Sequence, residues 1–318
     1  MNGFEKIPLS FPGLGLEFEL DRVAFSLFGM NIYWYGVIIA VGFILAVLYG
    51  CRKAAPFGVD QDKVLDMLFA AVPAALIGAR AYYVIFNIDI YRVGGKLDWG
   101  AVIDVRDGGL AIYGGIIAAV VAAVIYCRVR KQPFWSYADC GAYGFLIGQL
   151  VGRWGNFVNI EAYGGITDLP WRMCSPKIAS ELLKQGQIGA DVYEQILDGT
   201  LGVHPTFLYE SLWNLLGLVL LILLFRKGRK FNGQVFLCYV IWYGLGRTVI
   251  EGLRTDSLYF FNTGLRSSQL VGILSVVAAI VLYVVRLKTA GPASAPFVKK
   301  TGKEIEETQE EEDHGDSD

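Results

Sequence analysis

The run Tyr143-Gly-Phe-Leu-Ile-Gly-Gln-Leu-Val151 leads directly into Gly152-Arg-Trp-Gly-Asn-Phe-Val-Asn-Ile-Glu161, and this junction decides how the chain folds. An apolar segment ends here, and an arginine, two asparagines and a glutamate follow it. Ionisable groups near bilayer depth are costly and therefore mark sites, and loops carry function more often than cores do. We interpret residues 152–161 as the start of a functional loop at the edge of the membrane.

The composition places the chain among membrane proteins. Hydrophobic residues make up 54% of the 318 residues, charged residues only 18%, and the mean hydropathy is +0.44. Soluble domains carry about 25% charged and roughly 45–50% apolar residues, so we predict an all-α polytopic membrane protein. The start of the chain does not have the pattern of a cleaved signal peptide, and we expect the first apolar segment to stay as a transmembrane helix.

The C-terminal tail is acidic. Lys299–Asp318 holds nine acids and three lysines, so this tail carries a charge of −6 while the other 298 residues carry +4. Residues 304–318 have almost no apolar side chains to bury, and we predict that they are disordered and solvated. The predicted domains are a transmembrane catalytic domain over residues 1–290 and a cytoplasmic tail over residues 291–318.

Seven apolar stretches approach the roughly 20 residues that a spanning helix needs. Lysine and arginine in short loops set the orientation, and basic clusters follow the first, third, fifth and seventh stretches. Seven transmembrane helices put all four clusters on one side, which predicts a cytoplasmic C-terminus and an N-terminus outside. The stretches are Trp34–Tyr49, Val64–Phe86, Leu110–Tyr126, Tyr137–Val151, Phe207–Phe225, Gly233–Ile250 and Leu270–Val285.

Two long loops then lie outside the membrane, near residues 87–109 and 152–205. The second is over fifty residues long and contains Pro176–Gln187, which has the pattern of an amphipathic helix. Loops of this length are uncommon unless they are functional. We therefore predict a small extracytoplasmic head over the membrane mouth.

A second polar cluster, Tyr243, Arg247, Glu251 and Arg254, lies at the end of the sixth stretch. Steps of four, four and three place these side chains on one helical face. On a soluble helix, Arg247 and Glu251 would simply form a structural ion pair. At the end of a membrane span, two arginines against one carboxylate leave positive charge for an anionic head group, and a guanidinium binds phosphate oxygens in bidentate fashion.

Further polar residues near the ends of the stretches have either a structural or a functional interpretation. Arg153 can snorkel to the interface, whereas Asn156 and Asn159 are amides able to orient a glycerol or phosphate oxygen. A lone histidine at a helix start, such as His204, is more often a cap or a surface residue than a base. Glu210, a turn inside the fifth stretch, is expected to pair with an arginine.

Residues of the first three stretches have the same ambiguity. Tyr35 and Tyr113, the latter in Asp107-Gly-Gly-Leu-Ala-Ile-Tyr113-Gly-Gly, fit interfacial belt residues. Arg80 lies inside the second stretch, where a charge must face a partner or a wet cavity.

Several motifs, in this order, resemble the prolipoprotein diacylglyceryl transferase family over roughly Tyr33–Val285. The resemblance implies a seven-span enzyme of the bacterial cytoplasmic membrane, with its head and active site on the extracytoplasmic face. It implies transfer of the diacylglyceryl group of phosphatidylglycerol to the lipobox cysteine thiol of preprolipoproteins, forming a thioether and releasing glycerol 1-phosphate. The motifs are Tyr-Trp-Tyr-Gly at 33–36, Gly-Ala-Arg at 78–80, Asp-Gly-Gly to Tyr-Gly-Gly at 107–115, Gly-Arg-x-Gly-Asn-Phe-x-Asn-x-Glu at 152–161 with Gly164, His-Pro-Thr-Phe-Leu-Tyr-Glu at 204–210, and the run of Arg247, Glu251 and Arg254.

The resemblance also implies site residues and partners. The expected partners are phosphatidylglycerol, preprolipoprotein signal peptides with a lipobox cysteine, and membrane lipids, with no nucleic acid. We expect no metal and no cofactor. The expected catalytic residues are Arg153, Arg247, Glu251, Tyr113 and Tyr35, and the expected substrate contacts are Asn156, Asn159, Gly164, Arg254, Arg80, His204 and Glu210.

The reaction needs a thiolate nucleophile and stabilisation of the charge that develops on the leaving phosphate. We predict that Arg153 and Arg247 clamp the phosphate, that Asn156 orients it, and that Glu251 holds Arg247, with Arg254 supporting the same face.

The base that activates the thiol stays open. Some members of the family carry a histidine where Tyr113 stands here, and an ordinary tyrosine is a poor base at neutral pH. Tyr113, Tyr35 and Glu210 are equal candidates for assisting thiol deprotonation.

Two alternatives remain. In a transporter or lipid-binding protein the polar clusters would line a permeation path, and internal symmetry between halves would favour that function; none is visible by eye. Another phospholipid head-group transferase is the nearest alternative among enzymes. A lipobox peptide that gains mass from phosphatidylglycerol would separate these possibilities.

Overall fold

Long helices make up most of the structure, a computed structural model that describes residues 6–93, 95–105, 108–255 and 266–296. The predictions for Asp107 and for the acidic tail beyond residue 296 lie outside these residues. The helices are α1 (Trp34–Ala54), α2 (Gln61–Phe86), α3 (Trp99–Ile103), α4 (Ile112–Val129), α5 (Phe134–Asn159), α6 (Pro176–Lys184), α7 (Ala190–Leu197), α8 (Thr206–Leu224), α9 (Gln234–Glu251) and α10 (Ser267–Thr289).

Five helical segments within the described residues are long and apolar enough to cross a membrane: Trp34–Phe57, Gln61–Phe86, Ile112–Val129, Thr206–Leu224 and Ser267–Thr289. Their apolar side chains point outward, as Phe69 and Ile77 show with 79% and 69% exposure. Such a surface needs lipid to cover it. The prediction of a multi-span helical membrane protein is confirmed for these five helices.

Helices α5 and α9 have the positions and lengths expected for the other two spans, but they are less apolar than the five helices above. The reason is their polar content, because α5 carries Asp139, Gln149 and Arg153 while α9 carries Arg247 and Glu251. The total of seven spans, the orientation of the termini and the side of the membrane on which the head lies stay predictions.

The interpretation of residues 152–161 as a loop is wrong for most of the segment, because α5 continues to Asn159. A Cβ at Gly155 would lie 2.8 Å from the Tyr35 ring, so the small residue lets α1 pack closely against α5. Gly155 is therefore a helix-packing residue.

The description as all-α needs an amendment, because short antiparallel strands precede the first helix and recur between helices. Leu16-Glu-Phe-Glu-Leu20 alternates apolar and acidic residues. This alternation predicts a strand, although it is not a long apolar run. The pairs are β1 (Ile7–Phe11) with β2 (Leu16–Leu20), β3 (Val23–Leu27) with β4 (Met30–Tyr33), β5 (Arg92–Val93) with β6 (Lys96–Leu97), and β7 (Ile166–Thr167) with β8 (Gly202–Val203).

The chain divides into two compact units. The described residues of Met1–Tyr49 and Gly141–Ala293 form the first unit, and those of Gly50–Cys140 and Ser294–Asp318 form the second. In the second unit α2 packs along α4. In the first, α9 packs against both α8 and α10.

A small hydrophobic core joins β1 to the segment between α5 and α8. The predicted amphipathic helix is present as α6, whose N-terminus is capped by the Ser175 hydroxyl. It ends at Lys184 rather than Gln187 because the chain turns at Gly186, where φ is +67°. The buried residues of this core include Leu9, Phe11, Ile160, Met173, Cys174, Ile178, Leu182, Ile196 and Val203. Residues 152–205 therefore hold a folded head rather than an open loop.

Candidate active site

The carboxylate of Glu210 lies at the centre of the polar cluster in the first unit, with a side chain that is 5% exposed. Arg153 of α5 forms a close ion pair with its Oε2 atom. Arg247 of α9 places Nη1 3.3 Å from Oε1, and Arg254 places Nη1 3.7 Å from the same oxygen. Glu210 was expected to pair with an arginine, and it contacts three. These contacts join residues from α5, α8 and the end of α9.

Arg247 bridges two carboxylates. Its Nη2 atom lies 2.7 Å from Oε2 of Glu251, four residues later on α9, while Nη1 faces Glu210. The predicted pairing of Arg247 with Glu251 is present. Among the described contacts of this cluster, three guanidinium groups contact Glu210, and one of them also contacts Glu251. Guanidinium groups bind phosphate oxygens in bidentate fashion, so an arginine-rich cluster of this kind suits an anion.

The two asparagines at the end of α5 converge on Glu161, which the sequence analysis quoted without giving it a role. Asn156 donates from Nδ2 to Oε1 of Glu161 at 2.9 Å, and Asn159 donates to the same oxygen at 3.4 Å. The Oδ1 atom of Asn156 accepts from Nη1 of Arg153 at 3.4 Å. Glu161 thus fixes both amides, and Asn156 in turn orients Arg153.

Gly164 lies between the backbone of His204 and the backbone of Leu253, the residue before Arg254. Its N–H donates to the carbonyl of His204 at 2.9 Å, and the N–H of Gly165 donates to the carbonyl of Leu253 at 2.8 Å. A Cβ at Gly164 would lie 2.7 Å from His204 Cβ and 2.8 Å from the Leu253 carbonyl oxygen. Only glycine fits between these two segments, so Gly164 acts through backbone packing that brings residue 254 beside the start of α8.

His204 belongs to a hydrogen-bonded chain with Tyr209 of its own motif and with Trp171, which no sequence motif indicated. Nε1 of Trp171 donates to the Tyr209 hydroxyl at 2.7 Å, and that hydroxyl lies 3.2 Å from Nδ1 of His204. Since an indole only donates, the Tyr209 proton is available for Nδ1. Burial lowers the pKa of His204, which favours a neutral imidazole at pH 7. These contacts support a structural role for His204.

Tyr35 lies beside the end of α5. It is the second residue of α1, and its ring packs over Gly155, two residues after Arg153. The ring is 39% exposed. The structure therefore places the Tyr35 ring against the part of α5 that carries the arginine and amide cluster.

Arg80 and Tyr113 lie in the second unit. Arg80 donates to four backbone carbonyls: from Nε to Val102 at 2.8 Å, from Nη1 to Gly108 and Gly109 at 3.0 and 2.9 Å, and from Nη2 to Ala101 at 2.7 Å. Its guanidinium also lies 5.1 Å from the centre of the Tyr91 ring. These contacts support a structural role in holding residues 101–102 and 108–109. Tyr113, the second residue of α4, is 43% exposed.

Metal-type clusters are a separate question. Within residues 6–93, 95–105, 108–255 and 266–296, no group of three histidine, cysteine, aspartate or glutamate side chains is arranged to hold a metal ion.

The chain is similar to known proteins over most of its length. Residues 22–285 match the sequence profile of the family described as prolipoprotein diacylglyceryl transferase. A relative from Finegoldia magna, named phosphatidylglycerol–prolipoprotein diacylglyceryl transferase, is 43% identical over 265 residues, covering 83% of this chain and 95% of the relative. Relatives of the same name from Oceanobacillus iheyensis and Clostridioides difficile are 43% and 40% identical, covering 85% and 83% of this chain and 89% and 95% of their own lengths.

Proposed function

The chain belongs to the prolipoprotein diacylglyceryl transferase family and is a transferase, and from that premise we propose that it transfers the diacylglyceryl group of phosphatidylglycerol to a prolipoprotein. The acceptor is the lipobox cysteine of the signal peptide. The observation that carries this proposal is the three-arginine cluster on Glu210, set among apolar helices. A lipid phosphate is the anion that such a site meets in a membrane.

The proposed reaction is a substitution at the sn-3 carbon of the diacylglyceryl group. The cysteine thiolate forms a C–S bond with that carbon, and the C–O bond to the phosphate breaks. The electron pair of the broken bond leaves with glycerol 1-phosphate, and the thiol proton passes to a base. Atoms and charges balance without a cofactor.

Stabilisation of the leaving phosphate is the proposed task of the arginines. Arg153 and Arg247 would contact phosphate oxygens through the guanidinium edges that their carboxylate partners leave available, since their side chains are 19% and 20% exposed. Glu251 and Glu210 hold Arg247 between them. Hydrogen-bond donors that are already in place when charge develops usually make the largest single contribution to catalysis. Arg254 adds positive charge on the same side.

The cluster geometry also bears on the base. Three guanidinium groups contact the oxygens of Glu210, which favours its role as the anchor of the arginines over a role as proton acceptor. Tyr35 and Tyr113 remain the candidate assistants of thiol deprotonation.

The proposed setting is the bacterial cytoplasmic membrane. With α5 and α9 added to the five apolar helices, residues 1–290 form a seven-span catalytic domain, with the N-terminus outside and the C-terminus inside. The head then lies on the extracytoplasmic face, where signal peptides of exported lipoproteins present their cysteine. Residues 291–318 would extend into the cytoplasm as an acidic tail.

The proposal is tested with purified protein, phosphatidylglycerol and a synthetic lipobox peptide. Mass spectrometry should show a peptide that has gained one diacylglyceryl group as a thioether, and glycerol 1-phosphate should appear in equal amount. A peptide with serine in place of the cysteine should gain nothing. Arg247→Ala should abolish turnover while the protein still inserts, and Arg52→Ala, at an exposed arginine, is the matched control.

Two results would contradict the proposal. If the folded, lipid-supplied wild-type protein forms no thioether, the chain has another head-group activity or a transport function. If Arg247→Ala turns over at a near-normal rate, the enzyme is assigned but the phosphate clamp is wrong.

A further inference from the structure

The link between α5 and Gly164 contains two residues in a backbone conformation that L-amino acids rarely adopt. Ile160 has φ of +50° and Ala162 has φ of +55°. A β-branched residue in this region is an outlier, and such strain persists only where the surroundings over-determine it. Glu161, the acceptor for both signature asparagines, lies between the two strained residues.

Two cations from outside α5 hold this link. Nζ of Lys177, in the first turn of α6, donates to the carbonyl of Asn159 and, at 3.2 Å, to that of Ile160. Nη2 of Arg22, between β2 and β3, donates to the same Asn159 carbonyl at 3.0 Å. The carbonyl of Ala162 accepts from the Thr206 hydroxyl. The end of α5 is thus fixed by three separate segments of the first unit.

The placement of these cations is costly for the fold. Burial and the neighbouring Arg22 lower the pKa of Lys177, because a half-buried ammonium beside a guanidinium loses hydration and meets a like charge. The carboxylates of Glu181 and Glu161 act in the opposite direction and offset part of this cost.

The dipole of α5 explains why two cations lie at this end of the helix. The C-terminus of a helix carries roughly half a negative charge, concentrated in its last turn. Arg153 and Asn156 lie in the last two turns of α5, so a phosphate bound there would be close to the negative end. Lys177 and Arg22 neutralise that end while fixing the carbonyls on which the link depends.

A chain of contacts then runs from the head to the arginine cluster. Lys177 fixes the carbonyls of Asn159 and Ile160, the link places Glu161, Glu161 orients Asn156, and Asn156 contacts Arg153. We propose that Lys177, supported by Arg22, is a positioning residue of the transferase site, through which the head sets the geometry of the end of α5. This inference rests on the proposed function.

The test compares three variants in the lipobox-peptide assay. Lys177→Met keeps the length and apolar stem of the side chain and removes the charge and both hydrogen bonds. Lys177→Arg restores a cation that can donate to both carbonyls. Lys184→Met removes the exposed lysine in the last turn of the same helix and is the matched control.

For Lys177→Met we expect kcat to fall by about tenfold to a hundredfold, the range that follows from small misplacement of a catalytic group. The KM for the peptide should change less than kcat, because a positioning residue acts through Asn156 and Arg153 on a group that works in the transition state. Lys177→Arg should recover most of the rate, and Lys184→Met should match wild type. A role in folding alone would instead lower the melting temperature and leave the kcat of the folded enzyme unchanged.

Arg22→Met provides a second test if Lys177→Met does not fold. It should lower kcat in the same direction, with recovery in Arg22→Lys, since Arg22 donates to the same Asn159 oxygen. When both substitutions are made, the loss should be smaller than the product of the single losses, because both act on one carbonyl.

The outcomes separate this inference from the proposed function. Wild-type turnover together with normal kcat in folded Lys177→Met, or in folded Arg22→Met, overturns the positioning role and leaves the transferase assignment intact. A wild-type protein without thioether product overturns the proposed function itself, whatever the variants show.

Discussion

Glu210 organises the candidate site, because one carboxylate with 5% exposure contacts Arg153, Arg247 and Arg254. Its removal would leave these guanidinium groups without their common partner. We expect Glu210→Gln to lower turnover at least tenfold and the free energy of unfolding by about 1.5–3 kcal/mol, the range for hydrogen bonds to charged groups. Turnover and thermal unfolding in detergent measure the two effects.

The matched control for Glu210 is Glu194→Gln, at an exposed glutamate of α7. It should change neither turnover nor the melting temperature. If Glu210→Gln also behaves as wild type, the carboxylate does not hold the arginines in place, and the cluster must be organised by other contacts.

Cys174 shows how burial controls a thiol in the head. It is 3% exposed in the hydrophobic core, and burial raises its pKa to about 11. The folded thiol therefore stays protonated at pH 8 and should resist alkylation by iodoacetamide, whereas the unfolded chain should react rapidly. Peptide mapping of the alkylated cysteines measures this difference.

The same shift gives a pH dependence of stability with a defined sign. In the unfolded chain the Cys174 thiol loses its proton near pH 8.5–9, and in the folded protein only near pH 11. Between these values the folded state binds more protons, so its stability falls as pH rises. Cys174→Ala should flatten that part of the curve of melting temperature against pH. An unchanged slope would contradict the assignment.

Among the helices, α8 and α9 are linked by two tryptophans. Each indole N–H donates at 3.0 Å to the backbone carbonyl of the other residue, Trp213 to Trp242 and the reverse. The rings stack 4.2 Å apart with an angle of 15° between their planes. Gly246 gives Trp213 its space, since a Cβ there would lie 2.1 Å from the indole nitrogen. This contact sets the separation of the helices that carry Glu210 and Arg247.

Gly246→Ala should therefore separate α8 from α9. We expect a loss of about 1–3 kcal/mol, the usual cost of overpacking, together with reduced turnover. Gly148→Ala on α5 is the control, because a Cβ at Gly148 meets no atom of the described residues within 4 Å. Thermal unfolding in detergent gives the comparison, and equal melting temperatures for the two variants would show that the tryptophan pair does not determine the packing.

The head shows how one element depends on another for its function. Helix α6 was recognised as amphipathic from its sequence, and its apolar residues Ile178 and Leu182 are fully buried as that pattern predicts. The pattern says nothing about Lys177, a polar position whose ammonium reaches the carbonyls at the end of α5. A polar residue at a helix start has no periodic signal, so only the fold identifies its partner.

For the molecule as a whole, the number of spans is the main open prediction, and it depends on α5 and α9. If α5 crosses the membrane, Arg130 before it and Gln187 after it lie on opposite sides. We expect a membrane-impermeant maleimide to label Gln187→Cys in intact spheroplasts and Arg130→Cys only after lysis, each in a chain whose native cysteines are replaced by serine. Labelling of both before lysis would contradict the seven-span topology.

Composition and periodicity are local properties, so the amino-acid sequence alone predicts the class of the protein, the positions of the apolar helices and the order of the motifs. The spacing of Arg247 and Glu251 likewise predicts their ion pair, since residues four apart share a helix face. That Arg153, Arg247 and Arg254 share Glu210 is visible only in the folded chain. The same is true of the extension of α5 through the signature and of the meeting of Lys177 and Arg22 at Asn159. These contacts join segments far apart in the chain, and their geometry depends on packing, which no local pattern records.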